Sequence, residues 1–574
     1  MSDSASDLAS ASAKEARRLA ERANVAQTHL AELTQLQIDL IVDAMAESAA
    51  LEAKPLAAMA VEETGYGVTE DKVRKNLFSA EDIHRFIQPM KTVGVIQRHD
   101  DRRVVDIAEP FGVVAAIVPS TNPTSTTIYK ILIALKARCA IVISPHPGAV
   151  RCITRTAEIM AHAAQNAGAP EHVIGWMTNV TVEGTNELMR HRDISVILAT
   201  GGMGLVRAAY SAGKPAYGVG PGNAPAYIEE SADIPKAVSD IMTGKTFDNG
   251  VLCSSENSVV VDEAIAAEVT FEFKATGGYF LSKAECDAVS KVLVTPQRLP
   301  DPTLVGRPAI EIANKAALQV PSDTRVLIAS LQGVGRDYPL SIEKLCPVLS
   351  FYIVKDWHEG CARCKEILRY GGMGHTMSIH SRNESIILEF GLRKPAFRIV
   401  VNTPTTHGSI GLTTGLDPAM TLGCGGYGGN ITSDNISPMH LLNIKRLAYE
   451  LKPAPASSRA SEALTPSADT RMPVIPKKLE SPSIDGDAFA ARVNTFLTAR
   501  GLEKPKGPHP STEISSIPTV ESQAEAVAFV CEDDVRQALR DSRTITINES
   551  TIVTPSARDL ANLHQVFDDL GAGL

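Results

Sequence analysis

Cys253 stands in the string Thr246-Phe-Asp-Asn-Gly-Val-Leu-Cys253-Ser-Ser-Glu-Asn, just ahead of an apolar segment, Ser258 to Val261. A thiol can attack an aldehyde to give a thiohemiacetal, whose hydride can pass to an oxidised nicotinamide and leave a thioester. The nucleophile is the thiolate, which is scarce at neutral pH for an ordinary pKa of about 8.5, so a working site has to help ionise it. By itself, a cysteine in a Gly/Ser/Asn-rich turn is also what a structural loop looks like. Its surroundings have to decide.

Two other strings supply partners for that chemistry. In Val118-Pro119-Ser-Thr-Asn122-Pro-Thr-Ser, directly after an apolar run, the Asn122 amide can donate to a developing oxyanion, although an Asn before Pro also suits a plain turn. Ile197-Leu-Ala-Thr-Gly201-Gly202-Met-Gly204 places glycines between a strand pattern and a helix start, where backbone can approach a pyrophosphate. The third glycine of the common dinucleotide fingerprint is missing, so this string alone is weak. Cys361-Ala-Arg-Cys364 lacks the second pair that a metal site requires, and it reads as structural.

The elements that must position these residues follow from periodicity. From Lys14 to about Ala60, apolar residues recur at three- and four-residue steps, which predicts long amphipathic helices; a further helical stretch covers Val73 to Ile87, and Val93 to Ala108 reads as extended. Short apolar runs then alternate with helical patterns: Val113 to Val118, helix Thr126 to Lys136, Ala140 to Ser144, helix Ala149 to Ala167, Val196 to Thr200, helix Gly204 to Ser211, and Ala224 to Ile228. Such alternation predicts an α/β fold with a doubly wound parallel sheet and a ligand at the carboxyl ends of its strands.

Composition narrows the class. The 574 residues are 44% hydrophobic and 21% charged, which excludes a wholly disordered or collagen-like chain. A net charge of −10 offers no general attraction to nucleic acid or an anionic membrane surface. No run approaches the ~20 apolar residues of a bilayer span. Met1 to Ala13 lacks the order of a secretory signal, and the nine scattered cysteines read as reduced thiols, so a cytoplasmic location is expected. Residues 453–482, with six prolines and no aromatic residue, read as a linker. Beyond it, Ile484 to Gly501 has the pattern of a short amphipathic helix, a second helical stretch covers Val527 to Leu539, and Thr544 to Val553 alternates.

Five strings in order resemble the CoA-acylating aldehyde dehydrogenases: Pro119-Ser-Thr-Asn122-Pro-Thr-Ser-Thr, Ser144-Pro-His146-Pro147, Leu198-Ala-Thr-Gly201-Gly202, Phe247-Asp-Asn-Gly-Val-Leu-Cys253 and Thr421-Leu-Gly-Cys-Gly-Gly-Tyr-Gly-Gly-Asn430. The likeness is to the aldehyde-oxidising half of bifunctional alcohol/aldehyde dehydrogenases and to acylating sulfoacetaldehyde and propionaldehyde dehydrogenases, and it runs from about residue 25 to 450. It implies an aldehyde dehydrogenase-like fold with a Rossmann-type nucleotide-binding domain at 21–230, a catalytic domain at 231–424 and a return or oligomerisation segment at 425–452. A flexible extension at 1–20 and a carboxyl-terminal module at 483–574 flank these. It further implies Cys253 as nucleophile, Asn122 with the Cys253 amide as oxyanion site, and His375 (in Gly371-Gly-Met-Gly-His375-Thr376) near the thiol. Pro119, Ser144, His146, Pro147, Gly201, Gly202, Gly220 and Glu343 would then meet the dinucleotide, with no metal in the site. His146 and His375 are equally readable as packed loop histidines, and Glu343 as a surface ion pair.

One departure bears on the reaction. Hydrolytic relatives carry Glu-Leu-Gly-Gly-Lys, whose Glu activates water, whereas the matching stretch here is Gly218-Val-Gly-Pro-Gly-Asn223. Without a positioned base the acyl-enzyme resists water, and a free thiol is the better acceptor. The expectation is therefore NAD-dependent, ping-pong oxidation of a short aldehyde, with coenzyme A taking the acyl group from Cys253. A hydrolytic dehydrogenase, an acyl-phosphate reductase and a non-catalytic scaffold are the alternatives. The resemblance also implies a homodimer or homotetramer. The tail loosely resembles segments of enzymes packaged in bacterial microcompartments, so it is expected to dock to a shell or cargo partner there, with an ordinary oligomerisation extension as the alternative.

Overall fold

Val113–Val118 is apolar at every position and buried on both faces, as a central parallel strand must be. In the computed structural model it is the middle of a five-stranded parallel sheet ordered Ile174–Trp176, Ile141–Pro145, Val113–Val118, Ile194–Thr200, Ala216–Val219. Alternate side chains serve two cores. Val114, Ala116 and Val118 meet Ile41, Ile128, Leu132 and Ile153, whereas Val113, Ala115 and Ile117 meet Ala16, Ala20, Leu188 and Ala209. Strand order reverses beside Val113–Val118, which opens a crevice at the carboxyl ends.

The second sheet has seven parallel strands: Gly278–Leu281, Val326–Ser330, Val348–Val354, Glu256–Asp262, Ala224–Ile228, Gly374–His380 and Ala396–Val401. A third, antiparallel sheet joins Gly94–His99 and Val104–Pro110 to Leu442–Ala448. Residues 2–452 and 454 are described, together with 527, 529–541, 543–547, 551–553, 555–564 and 566–569. Two compact units divide at residue 457. The second has helices Glu532–Arg540 and Pro555–His564 and two parallel strand pairs, Phe529–Val530 with Ile552–Val553 and Ile545–Ile547 with Phe567–Asp569, around Val535, Ala538 and Ala561. The linker expected at 453–482, residue 454 apart, and the helix expected at Ile484 to Gly501 lie outside the described residues.

Two expectations need correction. Residues 1–20 were expected to be a flexible extension, but Ser2–Ala31 is one helix whose Ser12, Ala16 and Ala20 are buried. Its small residues let it lie close against helix Val182–Arg190, a packing that composition alone does not reveal. Ala224–Ile228, placed in the nucleotide-binding domain by its alternation with helices, instead pairs with Glu256–Asp262 and Gly374–His380. The chain therefore crosses between sheets at 220–223, ahead of the expected boundary at 230. A strand's apolar run marks it as buried without saying in which sheet.

Candidate active site

Four strand ends of the five-stranded sheet open onto a cavity of about 570 Å³, within the range of small-molecule sites. After Val118 come Pro119 and Asn122; after Pro145, His146 and Pro147; after Thr200, Gly201 and Gly202; after Val219, Gly220. Ser144 lines the same wall, its Oγ 2.8 Å from Thr185 Oγ1. Cys253, Glu343 and Val251 form the facing wall. Ten of the eleven residues singled out from the sequence thus meet on one cavity. The eleventh, His375, does not line it but reaches the thiol from behind, with Nε2 3.2 Å from Cys253 Sγ.

The glycine-rich wall has the form of a cradle. A Cβ at Gly220 would stand 2.9 Å from Met203 Sδ, and one at Gly201 2.8 Å from Leu205 Cδ2. Gly202 caps helix Met203–Tyr210 without a side-chain hydrogen bond, so the amino-terminal N–H groups are left to a ligand or to water. Among the described residues, buried Thr200 Oγ1 has no hydrogen-bond partner here. These are the features a pyrophosphate-bearing dinucleotide needs.

Behind Cys253 the backbone is clamped. Asp248 and Asn249 both take positive φ, 50° and 52°, which non-glycine residues rarely adopt. The Asp248 carboxylate holds the turn: Oδ1 accepts from Val68 N at 2.6 Å, and Oδ2 accepts from Lys72 Nζ at 3.0 Å and from Lys75 Nζ. Gly67 leaves room for that carboxylate, since a Cβ there would come 1.9 Å from Asp248 Oδ1. Lys75 Nζ also donates to Asn122 Oδ1 at 2.5 Å, and Lys72 Nζ to Thr121 O at 3.1 Å. Sequence reasoning missed Lys72, Lys75 and Asp248. Thr69–Leu77 is a strongly polar helix, and lysines three apart on it look like a solvated face.

Burial dominates the electrostatics. It pushes the Cys253 thiol up to about 12, with the charges of Glu343 and Cys424 adding and Arg398 opposing. It pulls His375 down to about 3, helped by Arg398. Thiol and imidazole therefore face each other as neutral groups: Sγ–H donates to Nε2, which leaves Nδ1–H to donate to Thr376 Oγ1 at 2.9 Å. Glu343 is raised to about 8 by burial, against the Gly222 N–H that donates to its Oε1 at 2.7 Å and the charges of Lys245 and Lys344. Lys75 is drawn down to about 7 by burial, with Asp248 opposing.

The stretch Gly218–Asn223 runs through this site with almost no spare space. A Cβ at Gly222 would lie 2.2 Å from the Cys253 carbonyl oxygen, and one at Gly218 2.9 Å from Val206 Cγ1. The glycine-rich segment near Cys424 sits under Gly374, where a Cβ would meet Cys424 O at 1.9 Å. Arg398 ties the two together by donating to the carbonyls of Gly374, Gly423 and Ser433.

A family model for the aldehyde dehydrogenase family matches residues 2–277. The acetylating succinate-semialdehyde dehydrogenase of Clostridium kluyveri is 37% identical over 442 residues, which are 77% of this chain and 97% of that protein. The chain belongs to the aldehyde dehydrogenase family. The bifunctional aldehyde-alcohol dehydrogenase AdhE of Escherichia coli K12 is 41% identical over 504 residues, 84% of this chain and 56% of that one. The chain spans about half the length of the bifunctional relatives it matches. An acetylating aldehyde dehydrogenase from Geobacillus thermoglucosidasius shares the α/β fold at a TM-score of 0.77 and 50% identity, over 78% of this chain and 99% of that one. A propionaldehyde dehydrogenase from a fucose-utilisation microcompartment of Clostridium phytofermentans gives a TM-score of 0.69 at 28% identity, over 76% of this chain and 97% of that one.

Proposed function

We propose that this chain oxidises a short aldehyde to its acyl-CoA, with NAD as the hydride acceptor and Cys253 as the nucleophile. The observation that carries this reading is the Cys253–His375 contact on a cavity whose described lining holds a single carboxylate, Glu343, raised to about 8 by burial. A carboxyl largely protonated at neutral pH is a poor base for water, and the stretch Gly218–Asn223, which lines the cavity with Val219, Gly220 and Pro221, supplies no other. The acyl group on Cys253 then waits for a better nucleophile than water, and the thiol of coenzyme A is one.

Gly201, Gly202, Gly220, Thr200 and the start of helix Met203–Tyr210 would hold the dinucleotide, with Pro119, Ser144, His146, Pro147 and Glu343 around it. When bound, it supplies a hydride acceptor. The chain's own groups do the rest. The Cys253 thiol, hydrogen-bonded to His375, passes its proton to the imidazole as sulfur attacks the aldehyde carbon. Asn122 Nδ2 and the Cys253 N–H stabilise the oxyanion, and His375 is positioned to receive the proton of the incoming thiol.

The similarity to a microcompartment dehydrogenase supports such a compartment as the site of action, with residues 483–574 as its docking module and a homodimer or homotetramer as the working assembly. A reporter fused to that module should concentrate in the shells of a shell-forming host; an unchanged distribution argues against docking. For the reaction, NADH formation from acetaldehyde or propionaldehyde is followed with and without coenzyme A. Dependence on coenzyme A and loss in Cys253→Ala are expected. Equal rates without coenzyme A would overturn the proposal.

A further inference from the structure

We propose that Cys361 and Lys394 form an oxidative modification site, in which a hydroperoxide converts the pair to a sulfenamide joining helix Trp357–Tyr370 to the segment before strand Ala396–Val401. This inference is independent of the catalytic reading and concerns residues away from the cavity. Lys394 Nζ lies 2.7 Å from Cys361 Sγ, closer than the 3.2 Å of the Cys253–His375 contact. Both residues are buried, at 7% and 5% exposure.

What sets Lys394 apart from the other buried lysines is the atom its nitrogen meets: Lys130, Lys245 and Lys344 donate to backbone or side-chain oxygens. Lys72 and Lys75 pair with Asp248, and Lys136 pairs with Asp39. Among the described residues, no carboxylate lies within ion-pair distance of Lys394. Its nitrogen instead meets the thiol, the face of Phe390 at 3.1 Å from the ring centroid, and the Phe390 carbonyl at 3.3 Å. Burial lowers its pKa, with the two nearby thiols opposing. An amine whose charged form is disfavoured by burial and which already touches sulfur is placed to trap an oxidised thiol.

The chemistry closes on these two groups and peroxide alone. The thiol proton moves to Nζ, and sulfur attacks one peroxide oxygen. The S–O bond forms, the O–O bond breaks, and the departing hydroxide takes a proton from the ammonium to leave as water. Sulfur is oxidised to a sulfenic acid and peroxide is reduced. The neutral amine then attacks that sulfur: the S–N bond forms, the S–O bond breaks, and hydroxide leaves with the amine proton as a second water. Thiol, amine and one peroxide thus give one sulfenamide and two waters. Cys364, one turn along the helix and also buried, is the rival that would give a disulfide instead.

The protein is treated with hydrogen peroxide and mapped by non-reducing tryptic mass spectrometry, as wild type and as Cys364→Ser. In both, the peptide Asp356–Arg363 should appear joined to Lys394–Arg398, two hydrogens lighter than the sum of the separate peptides, and dithiothreitol should release them. Lys394→Arg keeps the charge but removes the amine; the joined peptide should vanish, and Cys361 should be captured by dimedone. Recovery of wild-type Cys361 as a dimedone adduct with Lys394 unmodified, or as a disulfide with Cys364 and no joined peptide, would overturn the proposal.

Discussion

Lys75 Nζ lies 2.5 Å from Asn122 Oδ1 while the same nitrogen donates to Asp248 in the turn that precedes Cys253. A donor on Oδ1 fixes which way the amide faces, so Nδ2 becomes the end offered to an oxyanion. Nδ2 itself makes, among the described residues, one long contact, 3.3 Å to Thr121 Oγ1.

Lys75 should therefore act through Asn122. Asn122→Ala is expected to lower kcat by about 10² to 10³-fold, the usual cost of one oxyanion donor. Lys75→Met should cost roughly 10 to 100-fold, as expected for a charge-assisted hydrogen bond of about 1.5–3 kcal/mol. In the Asn122→Ala background the Lys75 substitution should cost little more, since groups acting as a unit are not additive. Steady-state kinetics of the double-mutant cycle measure this, with thermal melts to separate any loss of the buried Asp248 pairing.

Cys253 in the ligand-free protein should react slowly with iodoacetamide. With the thiol raised to about 12, the thiolate fraction grows about tenfold per pH unit and the alkylation rate should climb from pH 7 to 10 without a plateau near 8.5. Rates followed by peptide mass spectrometry test this; a plateau below pH 9 would contradict the burial argument.

His375→Ala should reduce the CoA-dependent rate by about 10² to 10⁴-fold, the range for loss of acid–base help. Because burial holds His375 down near 3, the wild-type kcat/KM profile should show no inflection of its own near 6.5. Initial rates between pH 5 and 9 check both statements.

Glu343→Gln should change how stability depends on pH. The folded-state carboxyl is raised to about 8 from an ordinary 4.5, so its contribution is complete below 4.5 and is lost as pH rises towards 8. The glutamine variant does not titrate. Relative to it, the wild-type Tm should fall between pH 5 and 8 and level off above; a difference that stays constant across this window would show that Glu343 is solvated.

Much of this architecture can be read along the chain. Val113–Val118 and Ile194–Thr200 declare themselves as buried strands by unbroken apolar runs, and the cysteine, asparagine and glycine strings mark the cavity walls. Periodicity fails where the partner is distant. Nothing within Ser2–Ala31 announces that Ala16 and Ala20 face the sheet, and Ala224–Ile228 carries no sign of which sheet it joins. Lys72 and Lys75 are the sharpest case, because a lysine's type predicts water and only the placement of Asp248, over 170 residues away, makes burial tolerable.

The sequence by itself determined the residue types and their order: one thiol in a Gly/Ser/Asn-rich turn, an amide after a strand, glycines where a backbone must come close, and no glutamate in the stretch Gly218–Asn223. Only the tertiary structure decided that His375 meets Cys253, that two lysines stand behind Asn122, and that burial leaves thiol and imidazole neutral. The reason is physical: local patterns follow from bonded geometry and side-chain period, whereas a pKa or an orientation depends on what packing brings from elsewhere in the chain and on how much water it excludes.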